Sequence, residues 1–134
     1  MTDVTEIEAV DDAFFTALNA MFEGDIKPME ALWSHADDVA YLGPVPGLFD
    51  IGWKVTDVDW VAQAKEHLGG SITLIKRHIV VSDELAVVHS IAEPRDQGGV
   101  ERTSMRGTNV FRKEDGVWKL IAHHSDPLPY VGVF

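Results

Sequence analysis

The sequence predicts an α+β domain, and three features carry that prediction. Apolar residues recur at helical spacing through the first half of the 134 residues. Runs rich in β-branched and aromatic residues fill the second half. Short Asp-Glu, Asp-Gln-Gly-Gly and Glu-Asp-Gly stretches separate those runs as turns would. The length fits a single domain over 1–134, enough to bury a sizeable core and too short for two domains of ordinary size.

Thr5 and Glu8 have capping-box spacing, and Ile7, Val10, Phe14, Leu18, Met21 and Phe22 follow at helical intervals as far as Gly24. Asp25 can cap a second, short helix through Met29, Ala31, Leu32 and Trp33, after which VAYL reads as a short strand. GPVPGLFDIG, residues 43–52, reads as a loop. Val58, Val61, Ala64 and Leu68, with Trp60 beside them, predict a third helix over about 57–68, stopped by Gly69 and Gly70. SITLIKRHIVVSD, LAVVHSIAEP, ERTSMRGTNVFRKED and VWKLIAHHSD then predict four consecutive antiparallel strands, whose apolar face the helices must cover.

Charge narrows the range of partners. The formal net charge is −11, and residues 1–67 carry 14 acids against 3 bases while residues 68–134 carry 8 of each. Such a field disfavours nucleic acid and anionic membranes, and no apolar run approaches the roughly 18–20 residues of a membrane span. An acidic N-terminus and the lack of any Cys make the cytoplasm the expected compartment. No phosphate-cradling Gly loop, Cys nucleophile or Ser/His/Asp set is visible, so no cofactor is called for.

Three phrases carry a resemblance to a known superfamily: ALNAMFEGDIKPMEALWSHADDV at 17–39, Gly52-Trp53, and RGTNVFRKEDGVWKLIAHHSDPL at 106–128. With the order of elements they resemble the nuclear transport factor 2-like superfamily, in particular its SnoaL-like and ketosteroid-isomerase-like members. The resemblance implies a cone-shaped, half-open barrel with N-terminal helices packed on a curved antiparallel sheet, as in cystatin-like folds. It also implies where an isomerase triad would sit, namely an Asp base with a Tyr and a protonated Asp that hold an enolate oxygen. Here the base position falls on Gly43, the Tyr position on Phe14 or Ala17, and the late-strand acid on Met105, Arg106 or His89. None of these supplies the required group, so isomerisation by that triad is not expected.

WKLIAHHSDPLP, residues 118–129, concentrates the remaining candidates. Side chains alternate along a strand, so His123 and His124 diverge and cannot both bind one metal without a bulge. No metal site is therefore expected. His124 shares the face of Trp118, Leu120 and Ala122 and is expected to point inward, either as a structural histidine hydrogen-bonded beneath the barrel end with Asp126 capping a turn before Pro127 and Pro129, or as an acid/base residue whose ring Asp126 orients. Tyr41, Trp53 and Trp60 are candidates to line the mouth of the cone, and His89 and Arg106 to supply polar groups inside it. Each also has a plain structural reading: filled core for the aromatics, a satisfied core histidine for His89, an ion pair for Arg106.

Two functions follow from this reading. One is a small-molecule enzyme with a pocket for a small, apolar, carbonyl-bearing ligand, running isomerase, cyclase or dehydratase chemistry without cofactor. The other is a non-catalytic ligand-binding or association domain. Either way a homodimer through the outer sheet face is expected, because TLIKRHIVV, AVVHSIA and TNVF are apolar on both faces.

Overall fold

A computed structural model describes residues 4–44 and 47–131, with side chains described as far as Pro129. Helix α1 (Val4–Phe22) is followed by α2 (Lys27–Leu32), β1 (Ala40–Leu42), β2 (Asp50–Ile51), α3 (Trp53–Lys65), β3 (Ser71–Val81), β4 (Leu85–Arg95), β5 (Thr103–Glu114) and β6 (Val117–Val131). The six strands form one curved, unclosed sheet in the order β2-β1-β6-β5-β4-β3. The last four pair antiparallel in sequence, as their turns predict, while β1 lies parallel to β6.

The helices differ from expectation in ways with physical reasons. Thr5 lies within α1 rather than capping it. The helix buries Ile7, Phe14, Leu18 and Met21 on one stripe and gives way to Gly24, whose φ of 93° suits a residue without a Cβ. The N-cap of α2 is Ile26, not Asp25, which stands one residue before it and accepts from the Lys27 amide through Oδ1 at 3.1 Å. Helix α3 begins four residues earlier than its apolar series suggests, at Gly52, which has a φ of 94° and stands against the Asp37 carbonyl. Its buried stripe is Thr56, Trp60 and Ala64, while Val58 and Leu68 face solvent. The expected loop contains the two-residue strand β2; its Val45 and Pro46 lie outside the described residues.

The core fills the space between the helices and the inner face of the sheet. Trp33, Tyr41, Trp60, Phe14 and Phe111 are its largest buried members. Asn19 of α1 clamps the start of β3, donating to the Ile72 carbonyl at 3.2 Å and accepting from its amide at 2.8 Å. Helix α1 is thereby fixed across the mouth of the cone.

One irregularity decides the site. Strand β6 is bulged against β5: Val110 pairs with Ala122 but Phe111 pairs with Leu120, leaving Ile121 extra. Trp118 and Leu120 face inward before the bulge, and His123 and Ser125 face inward after it. Because Leu120 is fully buried beside that bulge, Leu120→Ala should lower stability by about 3 kcal/mol. A shift in the urea midpoint at unchanged slope is the measurement; a change within error would mean the bulge relaxes to fill the space.

Candidate functional site

The bulge reverses the expected histidine assignment. His124 is exposed on the outer face, where its Nε2 meets Asp126 Oδ2 at 2.6 Å. Strand β6 continues past Asp126 to Val131, so Asp126 caps no turn. His123 is the inward residue, buried under Phe14 with ring centroids 4.6 Å apart and with Tyr41 and Trp60 close by.

Around His123 the structure builds a chain of hydrogen bonds that crosses four elements. Asn109 of β5 donates from Nδ2 to Asp11 Oδ1 of α1 at 3.0 Å. That fixes the amide so that its Oδ1 faces His123, whose Nδ1 lies 2.6 Å away and must donate. The imidazole is therefore the Nδ1–H tautomer, and its Nε2 is left as an acceptor. Ser125 Oγ, 3.2 Å from Nε2, supplies a proton to it. At the far end Arg77 of β3 binds Asp11 at 2.9 Å and Asp12 at 2.7 Å.

Burial governs the electrostatics of this chain. It raises the carboxyl of fully buried Asp11 above the ordinary Asp range, while the bonds from Asn109 and Arg77 work against the rise. It also lowers His123 to about 3, with neighbouring His124 adding a smaller push the same way. His123 is thus a neutral imidazole at physiological pH.

His123 and Ser125 line a partly open cavity of about 220 Å³ between α1, α3 and the sheet. Its walls are mostly apolar, with Phe14, Leu18, Met21 and Trp60 prominent, and its polar groups come from Tyr41, Gln63, Ser90, Asn109, His123 and Ser125. Tyr41 stacks on Trp60 at 4.2 Å and 4° and exchanges hydrogen bonds with Gln63, whose Nε2 donates to the tyrosine oxygen at 2.8 Å. Burial pushes the Tyr41 hydroxyl well above its usual range, so it stays protonated. Asp50, its partner across β1 and β2, is driven up to about 6 by burial and then by the neighbouring Asp59 carboxyl.

Of the candidates named from sequence, Tyr41 and Trp60 line this cavity. Trp53 does not; it stacks on His35 at 4.3 Å and leans on Trp33. His89 and Arg106 were expected inside but lie exposed on the outer face, where they share a shallow open groove with His124 and Asp126. The pairing aligns His78, His89, Thr108 and His124 straight across four strands, and His89 Nδ1 contacts Thr108 Oγ1 at 3.0 Å. The groove is larger than the cavity but shallower and more open, and its histidines stand exposed where His123 is buried. Among the described residues no three His, Cys, Asp or Glu side chains group so as to hold a metal ion. No described helix is long and apolar enough to cross a membrane.

The positions of the expected isomerase triad are also explained. A Cβ on Gly43 would come within 2.7 Å of Leu48 Cδ2 and 3.2 Å of the Tyr41 hydroxyl, so the space for a base there is already taken. Phe14 and Met105 contribute apolar wall instead.

A cone of three helices on a half-open sheet is the fold of the nuclear transport factor 2-like superfamily. Within it, the chain belongs to the SnoaL-like domain family, which matches residues 7–130. Its fold is similar to that of a Streptomyces avermitilis protein described as a dehydratase candidate of the nuclear transport factor 2-like family, at 24% identity and TM-score 0.80 over 96% of this chain and 97% of that one. A Thiobacillus denitrificans candidate calcium/calmodulin-dependent protein kinase type II association domain is similar at 24% identity and TM-score 0.79, over 90% and 94%. A Pseudomonas putida protein of unknown function matches at 19% identity and TM-score 0.78, over 91% and 84%. At these identities the likeness is one of fold. No curated protein matches the chain.

The buried imidazole makes a testable statement about acid stability. Its folded pKa lies below its unfolded value near 6.5, so as pH falls below about 6.5 the unfolded chain takes up a proton that the folded chain refuses. His123 therefore costs stability progressively from about pH 6.5 down toward pH 3. Stability of the parent minus that of His123→Phe should decline with a slope approaching one proton across that window. Parallel pH profiles of the two proteins would show instead that the ring is protonated when folded.

Proposed function

We propose that the chain binds a small, flat, mostly apolar, carbonyl-bearing molecule in the inner cavity and that His123 moves a proton on it without a cofactor, as an isomerase, cyclase or dehydratase would. The observation that carries this reading is the fixed tautomer of His123, which leaves one unprotonated ring nitrogen beside the cavity. A base so deeply buried is weak while the cavity is empty. Abstraction of a proton α to a carbonyl places an enolate beside the new imidazolium, and that anion offsets the burial that keeps the ring neutral. The electron pair moves from the C–H bond to the carbonyl oxygen, where the Ser90, Ser125 or Tyr41 hydroxyls can donate to it. Return of the proton to another carbon isomerises the ligand; alternatively the enolate pair forms a C=C bond and expels a β-hydroxyl, which leaves as water with the proton from the His123 imidazolium, and the ligand is dehydrated.

Deuterium exchange tests this directly. With 2-acetylnaphthalene in D2O, the parent should accelerate loss of the acetyl proton signal, His123→Phe should not, and a cavity-filling Leu18→Trp should weaken binding by about tenfold or more. Binding without exchange would leave the non-catalytic reading. That alternative has its own support in the occupied Gly43 position, where the superfamily's isomerases keep their base.

A second copy of the chain is the partner we propose for the outer sheet face. No described helix covers that face, where Val80 and Leu85 are 58% and 47% exposed and Val87, Val110 and Ala122 continue the apolar row between strands. Light scattering at micromolar concentration should give about twice the chain mass. A value near 14.8 kDa would end the proposal.

A further inference from the structure

We infer that the cavity selects for a hydroxyl: its ligand carries an enolic or phenolic O–H that donates to His123 Nε2 while its oxygen rests in a notch between Ser90 and Ser125. The inference rests on the cavity reading above and specifies the polarity of what fills it.

Three observations carry it. The first is the direction of the hydrogen bonds. Arg77 anchors Asp11, Asp11 accepts from Asn109, and Asn109 accepts from Nδ1. Every donor in that chain is committed, so Nε2 can only accept, and a carbonyl ligand offers it an O–H only as the enol. The second is the competitor. Only the Ser125 hydroxyl serves Nε2 among the described residues, at a long 3.2 Å, and a hydroxyl can turn about its C–O bond to donate elsewhere. A ligand O–H that takes its place is exchanged for it at little loss, and Ser125 can then donate to the ligand oxygen.

The third is the shape of the wall. Ser90, Gly107 and Ser125 stand directly opposite one another on β4, β5 and β6, all on the cavity side, and the middle position has no side chain. A Cβ on Gly107 would stand 3.6 Å from Ser90 Oγ and 3.6 Å from Ser125 Cβ. Those are ordinary contacts, so the fold accepts alanine there, yet the methyl would occupy the gap between the two hydroxyls. The glycine therefore opens a polar notch in an otherwise apolar wall, two residues along β5 from Asn109 and across the sheet from His123. A ligand without the O–H leaves Ser125 donating to Nε2 and unable to donate to the ligand oxygen, so its complex holds one hydrogen bond fewer in a mostly apolar site.

The test compares 2-naphthol with 2-methoxynaphthalene, which have the same rings but differ in the O–H, by titration calorimetry on the full chain. The parent should bind 2-naphthol about tenfold more tightly, a preference lost in His123→Phe, which should bind both with equal affinity. Gly107→Ala, folded as judged by its near-ultraviolet circular dichroism, should weaken 2-naphthol by about tenfold. Equal binding of the two probes to the parent overturns the inference and leaves the cavity reading standing. So does an unchanged preference in His123→Phe, which would move the acceptor elsewhere. Failure of both naphthalenes and of 2-acetylnaphthalene to bind sinks the cavity reading and this inference together.

Discussion

The hydrogen-bond chain from Arg77 through Asp11 and Asn109 to His123 ties α1 to β3, β5 and β6, and the interior is arranged around it. Burying a carboxylate and an imidazole in a small domain is costly unless each is fully partnered. Here the cost is met by a sequence of single commitments: the guanidinium charges one end, the amide bridges the middle, and the neutral ring closes the other. Because each group can satisfy its neighbour in only one orientation, the chain fixes the depth of α1 over the sheet and the rotation of the His123 ring at once. Phe14, one helical turn beyond Asp11, then seals the ring from above.

Much of this frame was legible in the sequence. The four late strands, their antiparallel order and the first two helices follow from periodicity and turn chemistry alone. Helix α3 runs from Trp53 to Lys65 rather than over 57–68: Trp60 and Ala64 of the expected series do face the core, but Val58 and Leu68 face solvent, and the buried stripe begins at Thr56, which hydrophobicity undervalues. The histidine pair was read in reverse for a sharper reason. Alternation along β6 holds from Trp118 to Leu120 and again from His123 to Ser125, but the extra residue at Ile121 joins the two halves out of phase. Nothing in LIAHH marks that position, since a bulge adds a residue without requiring a special one.

The rest of the site left a fainter signal. Asp11 sits four residues after Ile7 and three before Phe14, on the apolar stripe of a helix that otherwise buries only hydrocarbon there. An acid on such a face demands a buried partner, and Arg77 and Asn109 are what it finds. Asn109, Gly107 and Ser125 carry no comparable mark. Their importance comes from register across three strands, which exists only once the sheet is assembled.

His123 and His124 show how completely position decides chemistry. They are adjacent in one strand, yet one ring is held neutral under aromatic side chains while the other stands in solvent beside a carboxylate. Paired with Asp126 on the outer face of an interior strand, His124 stands in the open groove and has no apolar wall around it. His123 has one acceptor lone pair, fixed in direction and met by the Ser125 hydroxyl, beside a mostly apolar cavity. A group of that kind serves a molecule that brings its own proton or surrenders one, and the proposed ligand is for that reason defined by its polarity more than by its size.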